Sequence, residues 1–498
     1  MTITLVNVIL YIILFYCIYS FAKKNKAFST NDPPGPKIEL PIIGSLHLLS
    51  SKPHLGFTKL AQKFGGIYKL WVGDHYTIVV SDPHYIREIW LKNNDNFINR
   101  PKSPTFTVLS GNFTNLVCAS EKIWRHRRDL VAGAFTKTKL KTTQTIVAKQ
   151  CQRIMKQMML SAEKKTLFNP KMNFKKYSMN IISSMVFSRE IAYDDGEVLF
   201  GKDFGNILKQ IEYVFGLGKA GNPGDAISLL QPFFYYQMKV MGTELDKLLE
   251  FMKEIYDDHI LNLDPENPKD LFDHIIIDAD GKDLNGILRV GVDLLLGGTD
   301  TSSNTIEWFT LMMANYPEVQ DKAYQELQYR IGQRGGETIE DQENCGNRIL
   351  VSDRLETPYV NAIIKEIMRL HPIGPLGIPR MAKEDIMIGE YFIPAGTHMI
   401  QNIHGLHHDP SHYDQPESFI PERFVHDNHT SHYLPFSIGA RNCLGMQVAE
   451  MEIYTICANI LINFKIKSVD GKQIDDTELF GLAVHPIDYN ILLEKRSI

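Results

Sequence analysis

The chain has 498 residues, of which 44% are hydrophobic and 22% are charged, and its formal net charge at pH 7 is -5. This composition is ordinary for a globular protein and, without a Ser- or Gly-rich linker in the interior, favours one large folded unit. The negative charge argues against a nucleic-acid-binding protein, since phosphate contacts need a concentrated basic surface. None of the six cysteines forms a CxxC pair, which argues against a zinc knot or a thioredoxin-type site.

The amino-terminal segment is uncharged from residue 3 to residue 22. About 20 apolar residues are enough to cross a bilayer as a helix. Basic residues follow at once, at Lys23 and Lys24, and none precedes, so the positive-inside rule places the remainder in the cytosol. A cleaved signal peptide is the alternative, but it needs a basic start and a small-residue cleavage site. We predict a transmembrane anchor at 3–22, a basic and proline-rich linker at 23–36 and a folded domain at 37–498.

Short β elements stand among long stretches of helical periodicity. Ile67–Ser81 is typical of two strands around a turn at Gly73 and Asp74, and Asp82 with Pro83 is typical of a capped helix start. Gly389–Thr397 indicates a second small β element. The predicted fold class is therefore mainly α with a minor β part.

One helix is predicted to be unusually long, from Asp283 to Asn315, ending before Pro317. At 1.5 Å per residue it would span about 50 Å, enough to cross a whole domain. Gly297 and Gly298 lie in its middle, where each glycine costs about 1 kcal/mol relative to alanine. Either close packing against another helix or a local opening for a ligand explains them.

A run of histidines follows the second β element. It consists of His404, His407, His408 and His412. Asp409, Pro410 and Tyr413 interrupt it, which favours a solvated loop over a metal site.

A single cysteine, Cys443, lies within the stretch PFSIGARNCLG, just before a run without proline or glycine. That position predicts a helix amino terminus, where free N–H groups lower the pKa of a thiol and favour its use as a ligand or nucleophile. Gly439 and Gly445 would let the backbone approach a flat group, and Arg441 adds a positive charge. A structural cysteine is the commoner explanation of one isolated thiol, and a hydrolase nucleophile would need a histidine base.

The segment from Phe436 to Gly445 resembles the haem-binding loop FxxGxRxCxG of the cytochrome P450 superfamily at every fixed position. Further family motifs follow in order from the anchor to the carboxyl end. The resemblance implies a cytochrome P450 fold that binds haem b, with Cys443 as the axial ligand of the iron. A thiolate ligand donates electron density to the metal. Phe436 is implied to shield this thiolate, and Gly439 to contact the haem.

The middle of the long helix carries a second family motif. Gly297–Ser302 matches [AG]Gx[DE]T[TS] in full. The resemblance implies that Thr301 supports oxygen activation and that Asp300 routes protons to it, a task for which an acid and an alcohol are suited.

Two further motifs imply a structural network and a set of cations for the haem propionates. Glu366 and Arg369 match ExxR, and Arg423 belongs to a PERF segment; the resemblance implies one buried charge network. The residues implied to bind the propionates are Trp124, Arg128, Arg380 and Arg441. The excess basic residues at 125–128 could attract an acidic electron donor, although a basic run is usually a solvated surface.

The substrate pocket is placed only by the resemblance and by the apolar character of the segments concerned. The predicted lining residues are Phe113, Leu294, Gly297, Leu376 and Leu482. They suggest a small lipophilic substrate without identifying it.

By resemblance, the chain is expected to be a haem-thiolate monooxygenase that inserts one atom of O2 into an organic molecule. Electrons would come from NADPH through a separate diflavin reductase, because no flavin or nicotinamide domain is visible. Cytochrome b5 is a second candidate partner. The resemblance to microsomal members places the protein in the endoplasmic reticulum membrane, single-pass, with sequons Asn112 and Asn428 unglycosylated.

Two other functions remain open at this stage. A haem-thiolate isomerase or lyase would rearrange peroxides without a reductase or O2. A membrane-tethered carrier of haem or lipid would catalyse nothing. The intact Asp300–Thr301 pair argues against both.

Overall fold

The computed structural model describes residues 2–137, 140–193, 198–199, 202–217, 223–241, 243–280, 282–333, 349–426 and 431–496. The helices of these parts are α1 Thr2–Lys24, α2 Pro53–Phe64, α3 Pro83–Arg87, α4 Pro104–Leu109, α5 Glu121–Lys137, α6 Leu140–Lys164, α7 Pro170–Phe187, α8 Phe204–Leu217, α9 Pro223–Ala226, α10 Gln231–Met241, α11 Thr243–Asn262, α12 Leu271–Asp278, α13 Leu284–Asn315, α14 Pro317–Gln333, α15 Pro358–Leu370, α16 Ile403–His407 and α17 Met446–Asn463. The strands are β1 Ile67–Val72, β2 His75–Val80, β3 Val198–Leu199, β4 Lys202–Asp203, β5 Arg380–Met381, β6 Ile386–Ile388, β7 Tyr391–Ile393, β8 His398–Gln401, β9 Phe464–Ser468, β10 Glu478–Leu479, β11 His485–Pro486 and β12 Ile491–Lys495. The predicted fold class, mainly α with a minor β part, is confirmed.

The largest sheet has four strands in the order β1-β2-β8-β5. β1 and β2 form the predicted hairpin, in a register that pairs Ile67 with Val80 and Val72 with His75. Gly73 has φ +61, which explains a glycine at this turn. β8 joins β2 in parallel, so that Thr77 pairs with His398. The second predicted β element, Gly389–Thr397, contains strand β7, which pairs antiparallel with β6 just before the predicted bounds.

The long helix α13 forms as predicted and ends before Pro317. Asp283 caps its amino terminus by accepting a hydrogen bond from Gly286 N at 2.9 Å. The helix packs along α7 and α17 inside the largest hydrophobic core of the described residues. It therefore crosses the domain, and its central turn is exposed.

The two central glycines of α13 serve different purposes. A Cβ atom on Gly298 would lie 2.7 Å from the Ile182 side chain of α7, so this glycine permits close helix packing. A Cβ atom on Gly297 would meet no atom within 4 Å. Close packing thus explains Gly298, whereas room for a ligand at Gly297 stays a prediction.

The histidine run is not a solvated loop, and that prediction is wrong. His404 and His407 lie on the short helix α16, with His408 directly after it, and the exposed fractions of these three residues are 7%, 0% and 3%. The helix forms because Asn402 caps it, and it packs on α2, where Thr58 Oγ1 lies 2.9 Å from His404 Nδ1. Burial lowers the pKa of His404 and His407 well below the ordinary value, so the rings are neutral and structural.

The amino-terminal segment forms helix α1, whose carboxyl end docks on the folded domain. Lys24 Nζ lies 3.2 Å from Asp74 in the β1–β2 turn, and Ser20 Oγ accepts a hydrogen bond from Ile42 N at 2.9 Å. Among the residues described, no helix combines the length and hydropathy needed to cross a bilayer. The transmembrane assignment of 3–22 and the domain bounds remain predictions.

Candidate functional site

The loop before α17 presents the Cys443 side chain to a large cavity. Cys443 N donates a hydrogen bond to Phe436 O at 3.0 Å, which closes the loop, and α17 begins three residues later. Gly439 has φ +82, and a Cβ atom there would lie 1.9 Å from Trp90 O. Gly439 is therefore required by backbone conformation and by packing on Trp90; an approach to a flat ligand, the predicted reason, is not needed to explain it.

The pKa of the Cys443 thiol is raised, which corrects the prediction of a lowered value. Desolvation by the enclosing walls of the cavity raises it, although the side chain is itself exposed to that cavity, and this outweighs the Gly445 N–H group and the Arg128 charge, which lower it. A thiolate at this position therefore needs a cation bound to the sulfur, since coordination deprotonates a thiol.

The cavity has a volume of about 480 Å³ and is bounded on one side by α13. Gly297 and Thr301 both line it, and so does Cys443. Thr301 Oγ1 donates a hydrogen bond to Gly297 O at 2.7 Å, which fixes its hydroxyl beside the open space at Gly297. The two motifs that lie far apart in sequence thus meet at one cavity.

Asp300 does not line the cavity but lies behind it. Its carboxylate is 2.9 Å from Lys175 Nζ on α7, and Lys175 is in turn 2.9 Å from Glu212 on α8. Burial lowers the pKa of Lys175, but the Asp300 and Glu212 charges overcome this and raise it. Since the Glu212 side chain is 43% exposed, these three groups form a charged path from solvent to the Thr301 turn. Sequence reasoning missed Lys175 and Glu212, because nothing local marks a partner on another helix.

A second buried acid, Glu452 on α17, also reaches the cavity wall. Burial raises the pKa of Glu452 to about 8, although Ser302 donates a hydrogen bond to it. Ser302 follows Thr301 on α13 and lines the same cavity. Glu452 was not predicted.

Five buried or half-buried arginines line the cavity: Arg289 on α13 and a further set of four, Arg100, Arg128, Arg380 and Arg441. Arg128 donates to Asn442 O at 3.0 Å, Arg380 to Asn94 Oδ1 at 3.1 Å and Arg441 to Val117 O at 3.1 Å. The guanidinium carbon of Arg441 lies 4.5 Å from the centre of the Trp124 ring, so Trp124 is placed with them. Arg100, which donates to Ile378 O at 2.6 Å, was not predicted.

Within the described parts of the chain, these four arginines have no carboxylate partner. Across the described residues no carboxylate lies within 4.0 Å of any of the four guanidinium groups. Burial, together with the positive charges of Arg100 and Arg380, lowers the pKa of Arg441, whose Nε is buried without a hydrogen-bond acceptor. Buried charges need partners, and guanidinium groups bind carboxylates best. The residues therefore fit a ligand with two carboxylates and a metal above Cys443, as haem b has.

The predicted charge network is present in full. Glu366 and Arg369 are completely buried on α15, 2.7 Å apart, and Arg423 Nε lies 3.0 Å from the same carboxylate. Arg369 also donates to His407 O at 2.8 Å and to Pro416 O at 2.7 Å. The network fixes the segment that leads to the Cys443 loop.

The predicted substrate residues divide between two cavities. Leu294, Gly297 and Leu482 line the Cys443 cavity, and Phe436 lines it too. Leu376 lines a second cavity of about 470 Å³ instead.

Phe113 lines neither cavity, in contrast to the prediction. Asn112 and Phe113 have φ +63 and +64, so the loop makes a left-handed turn at this point. Phe106 and Leu116 of the same loop provide the lining.

Comparisons with known proteins agree with this geometry. A family model for cytochrome P450 matches residues 33–493. Relatives from Dictyostelium discoideum include probable cytochrome P450 519B1, which is 38% identical over 99% of this chain and 100% of the relative, and cytochrome P450 monooxygenase 521A1, which is 34% identical over 98% and 99%. A zebra fish cytochrome P450 solved with progesterone is 25% identical, with a TM-score of 0.75 over 89% of this chain and 99% of that one.

The family match spans most of the chain, two whole-length relatives exceed 30% identity, and the cavity fits the cofactor that the family binds. The chain therefore belongs to the cytochrome P450 family of monooxygenases, which bind haem b through a cysteine thiolate.

Proposed function

We propose that this protein is a monooxygenase that inserts one atom of O2 into a lipophilic organic molecule, with Cys443 as the residue that would bind the haem iron. The observation that carries the proposal is that Cys443, Gly297 and Thr301 line one cavity whose arginines lack carboxylate partners. Haem bound there would supply a redox-active iron at which O2 is activated, and a thiolate ligand favours cleavage of the O–O bond.

Residues of the chain hold and move the protons that this reaction consumes. The Thr301 hydroxyl is placed at the cavity, and Asp300, Lys175 and Glu212 connect the turn behind it to solvent. An acid that exchanges protons with solvent and an alcohol at the reacting centre are the parts of a proton relay. The proposal therefore gives Asp300 and Thr301 the roles that the sequence motifs predict.

The cations and the network have supporting tasks. Arg100, Arg128, Arg380 and Arg441 would hold the two haem carboxylates, with the Trp124 indole against Arg441. Phe436 and the loop around Gly439 would keep water from the sulfur. Glu366, Arg369 and Arg423 keep that loop in place from behind.

The partners and the location extend the proposal beyond the catalytic domain. NADPH would reduce the haem through a separate diflavin reductase, with cytochrome b5 as an additional donor. Helix α1 would anchor the chain in the endoplasmic reticulum membrane, with the domain in the cytosol. Exposed apolar side chains along α1, among them Leu10, Ile12 and Phe15, and the lysines in its last turn support this.

Isotope transfer tests the reaction. Haem-loaded protein, a diflavin reductase, NADPH and ¹⁸O2 should give a product with one ¹⁸O atom, and substrate should stimulate NADPH consumption. Product formed without NADPH and O2 would show an isomerase or lyase instead. Ligand binding without any NADPH consumption would show a carrier. A glycan on Asn112 would show that the domain lies on the lumenal side of the membrane and not in the cytosol.

A further inference from the structure

The second cavity adjoins the Cys443 cavity. Five residues line both: Phe106, Gly374, Gly377, Ile378 and Leu482. At most one layer of side chains therefore separates the two spaces. At Gly374 a Cβ atom would meet nothing within 4 Å, so the shared wall is open there.

One face of the four-stranded sheet forms the far wall of the second cavity. His75 and Thr77 on β2 and His398 on β8 lie on this face, since Thr77 and His398 are register partners. The His75 and His398 rings stack with their centres 4.5 Å apart and their planes at 14°. His75 Nε2 donates to Asp225 O at 3.0 Å, whereas no hydrogen-bond partner is found for the His398 ring among the described residues.

The charge state of these groups restricts what they can bind. Burial lowers the pKa of His398 to about 3 and also lowers that of His75, so both rings are neutral at pH 7. A neutral imidazole offers one N–H donor and one acceptor nitrogen. Among the residues that the structure describes, the cavity lining contains no lysine or arginine, and it includes Asp225. A carboxylate end group would therefore find repulsion and no cation.

We propose that the substrate is an elongated amphipathic molecule whose apolar part lies above Cys443 and whose uncharged hydroxyl end is hydrogen-bonded to His398 in the second cavity. The proposal rests on the proposed monooxygenase function and adds a substrate class to it. The hydrogen bond at the polar end fixes how far the substrate extends past Leu482 and Phe106. It therefore determines which carbon atom of the substrate is presented for oxidation. His398 is then a specificity-determining residue.

Equilibrium dialysis of the haem-loaded full chain against labelled decan-1-ol, decane and decanoate tests this. One hydrogen bond changes affinity by about three- to tenfold, so wild-type protein should bind decanol tighter than decane by that factor. His398→Phe should abolish the preference while keeping decane affinity within about twofold. The matched variant His84→Phe, at an exposed histidine of α3, should keep it.

A second variant tests the connection between the cavities. Gly374→Leu should fill the open wall and weaken decanol binding, while an absorbance titration with imidazole reports whether the haem cavity is intact. Equal binding of decanol and decane by the wild type, a preference that survives His398→Phe, undiminished decanol binding by Gly374→Leu, or tighter binding of decanoate would each overturn the proposal. These results are independent of turnover, so they separate its failure from failure of the proposed function.

Discussion

At the scale of single residues, the cavity has more positive charge than the sequence motifs indicate. Arg100 belongs to no motif that we recognised, yet it donates to Val117 O and Ile378 O and lies among the other three arginines. A buried guanidinium group without a carboxylate destabilises the haem-free protein. Haem binding should therefore stabilise the fold by pairing these charges, in addition to the iron–sulfur bond.

Replacing Arg100 with methionine should reduce this gain. We expect the stabilisation that haem binding gives to the fold to fall by about 1.5–3 kcal/mol, the contribution of hydrogen bonds to a charged group. Thermal melts of the loaded and haem-free proteins measure the difference. Arg125→Met, which removes an exposed pair with Asp95, is the control and should change nothing. If haem binding stabilises Arg100→Met as much as the wild type, Arg100 is not one of the cations that pair with the haem carboxylates.

Lys175 should control proton supply through Asp300. Lys175→Met leaves a buried carboxylate unpaired, which costs about 3–5 kcal/mol of stability. We also expect less product per NADPH consumed. The double variant Lys175→Met/Asp300→Asn should regain stability, but its yield of product per NADPH consumed should stay low. Lys149→Met, at an exposed pair with Glu190, is the control. A wild-type yield of product per NADPH in Lys175→Met would exclude proton supply through Lys175 and Asp300.

At the scale of elements, α13 shows how one helix serves packing and chemistry in a single turn. Gly298→Ala should destabilise the protein by about 1–3 kcal/mol, because the new methyl group overlaps Ile182. Gly297→Ala should stabilise the haem-free protein by about 0.5–1 kcal/mol, since alanine is the better helix former and its Cβ meets no atom. Denaturant titration of the pair measures both. The opposite order of stabilities would contradict close packing at Gly298 and free space at Gly297.

The junction of α11 and α12 should respond to pH. His259 Nε2 lies 3.1 Å from Asp270, the residue that caps α12. Burial lowers the pKa of His259, but the hydrogen bond and charge of Asp270 outweigh it and raise the pKa above 6.5. A raised histidine pKa contributes stability that is complete below pH 6.5 and is lost as pH rises through the folded-state value.

We therefore expect the unfolding free energy to decrease above pH 6.5, and His259→Gln to remove that part of the decrease. Denaturant titrations between pH 5.5 and about 8.5 measure it, with His84→Gln as the surface control. A pH dependence that is the same in His259→Gln and the wild type would show that this pair does not titrate as described.

At the scale of the whole molecule, the sequence was most informative where a constraint is local. The β1–β2 hairpin, the length of α13 and the pairing of Glu366 with Arg369 all follow from residues that are near each other in the chain. Partners from distant segments could not be predicted in this way. Arg100, Lys175 and Glu452 reach the site through tertiary packing, and no local spacing marks them.

The errors have the same physical origin. The run from His404 to His408 looks solvated by composition, but packing of α16 on α2 buries it. The Gly445 N–H group at the helix end does lower the pKa of the Cys443 thiol, yet desolvation by the walls of the cavity, which only the fold reveals, has the larger effect. Leu376 was placed in the right region, but the division of that region into two cavities depends on β8 and the loop around Gly374.

The whole account depends on a bond between the Cys443 sulfur and haem iron, and the spectrum of the reduced carbon monoxide complex tests it most directly. The haem-loaded wild type should show a strongly red-shifted Soret band, and Cys443→Ser should lack it while its circular dichroism remains that of the folded wild type. A folded, haem-loaded wild type with an unshifted band, or a red shift that survives in Cys443→Ser, would contradict the central claim.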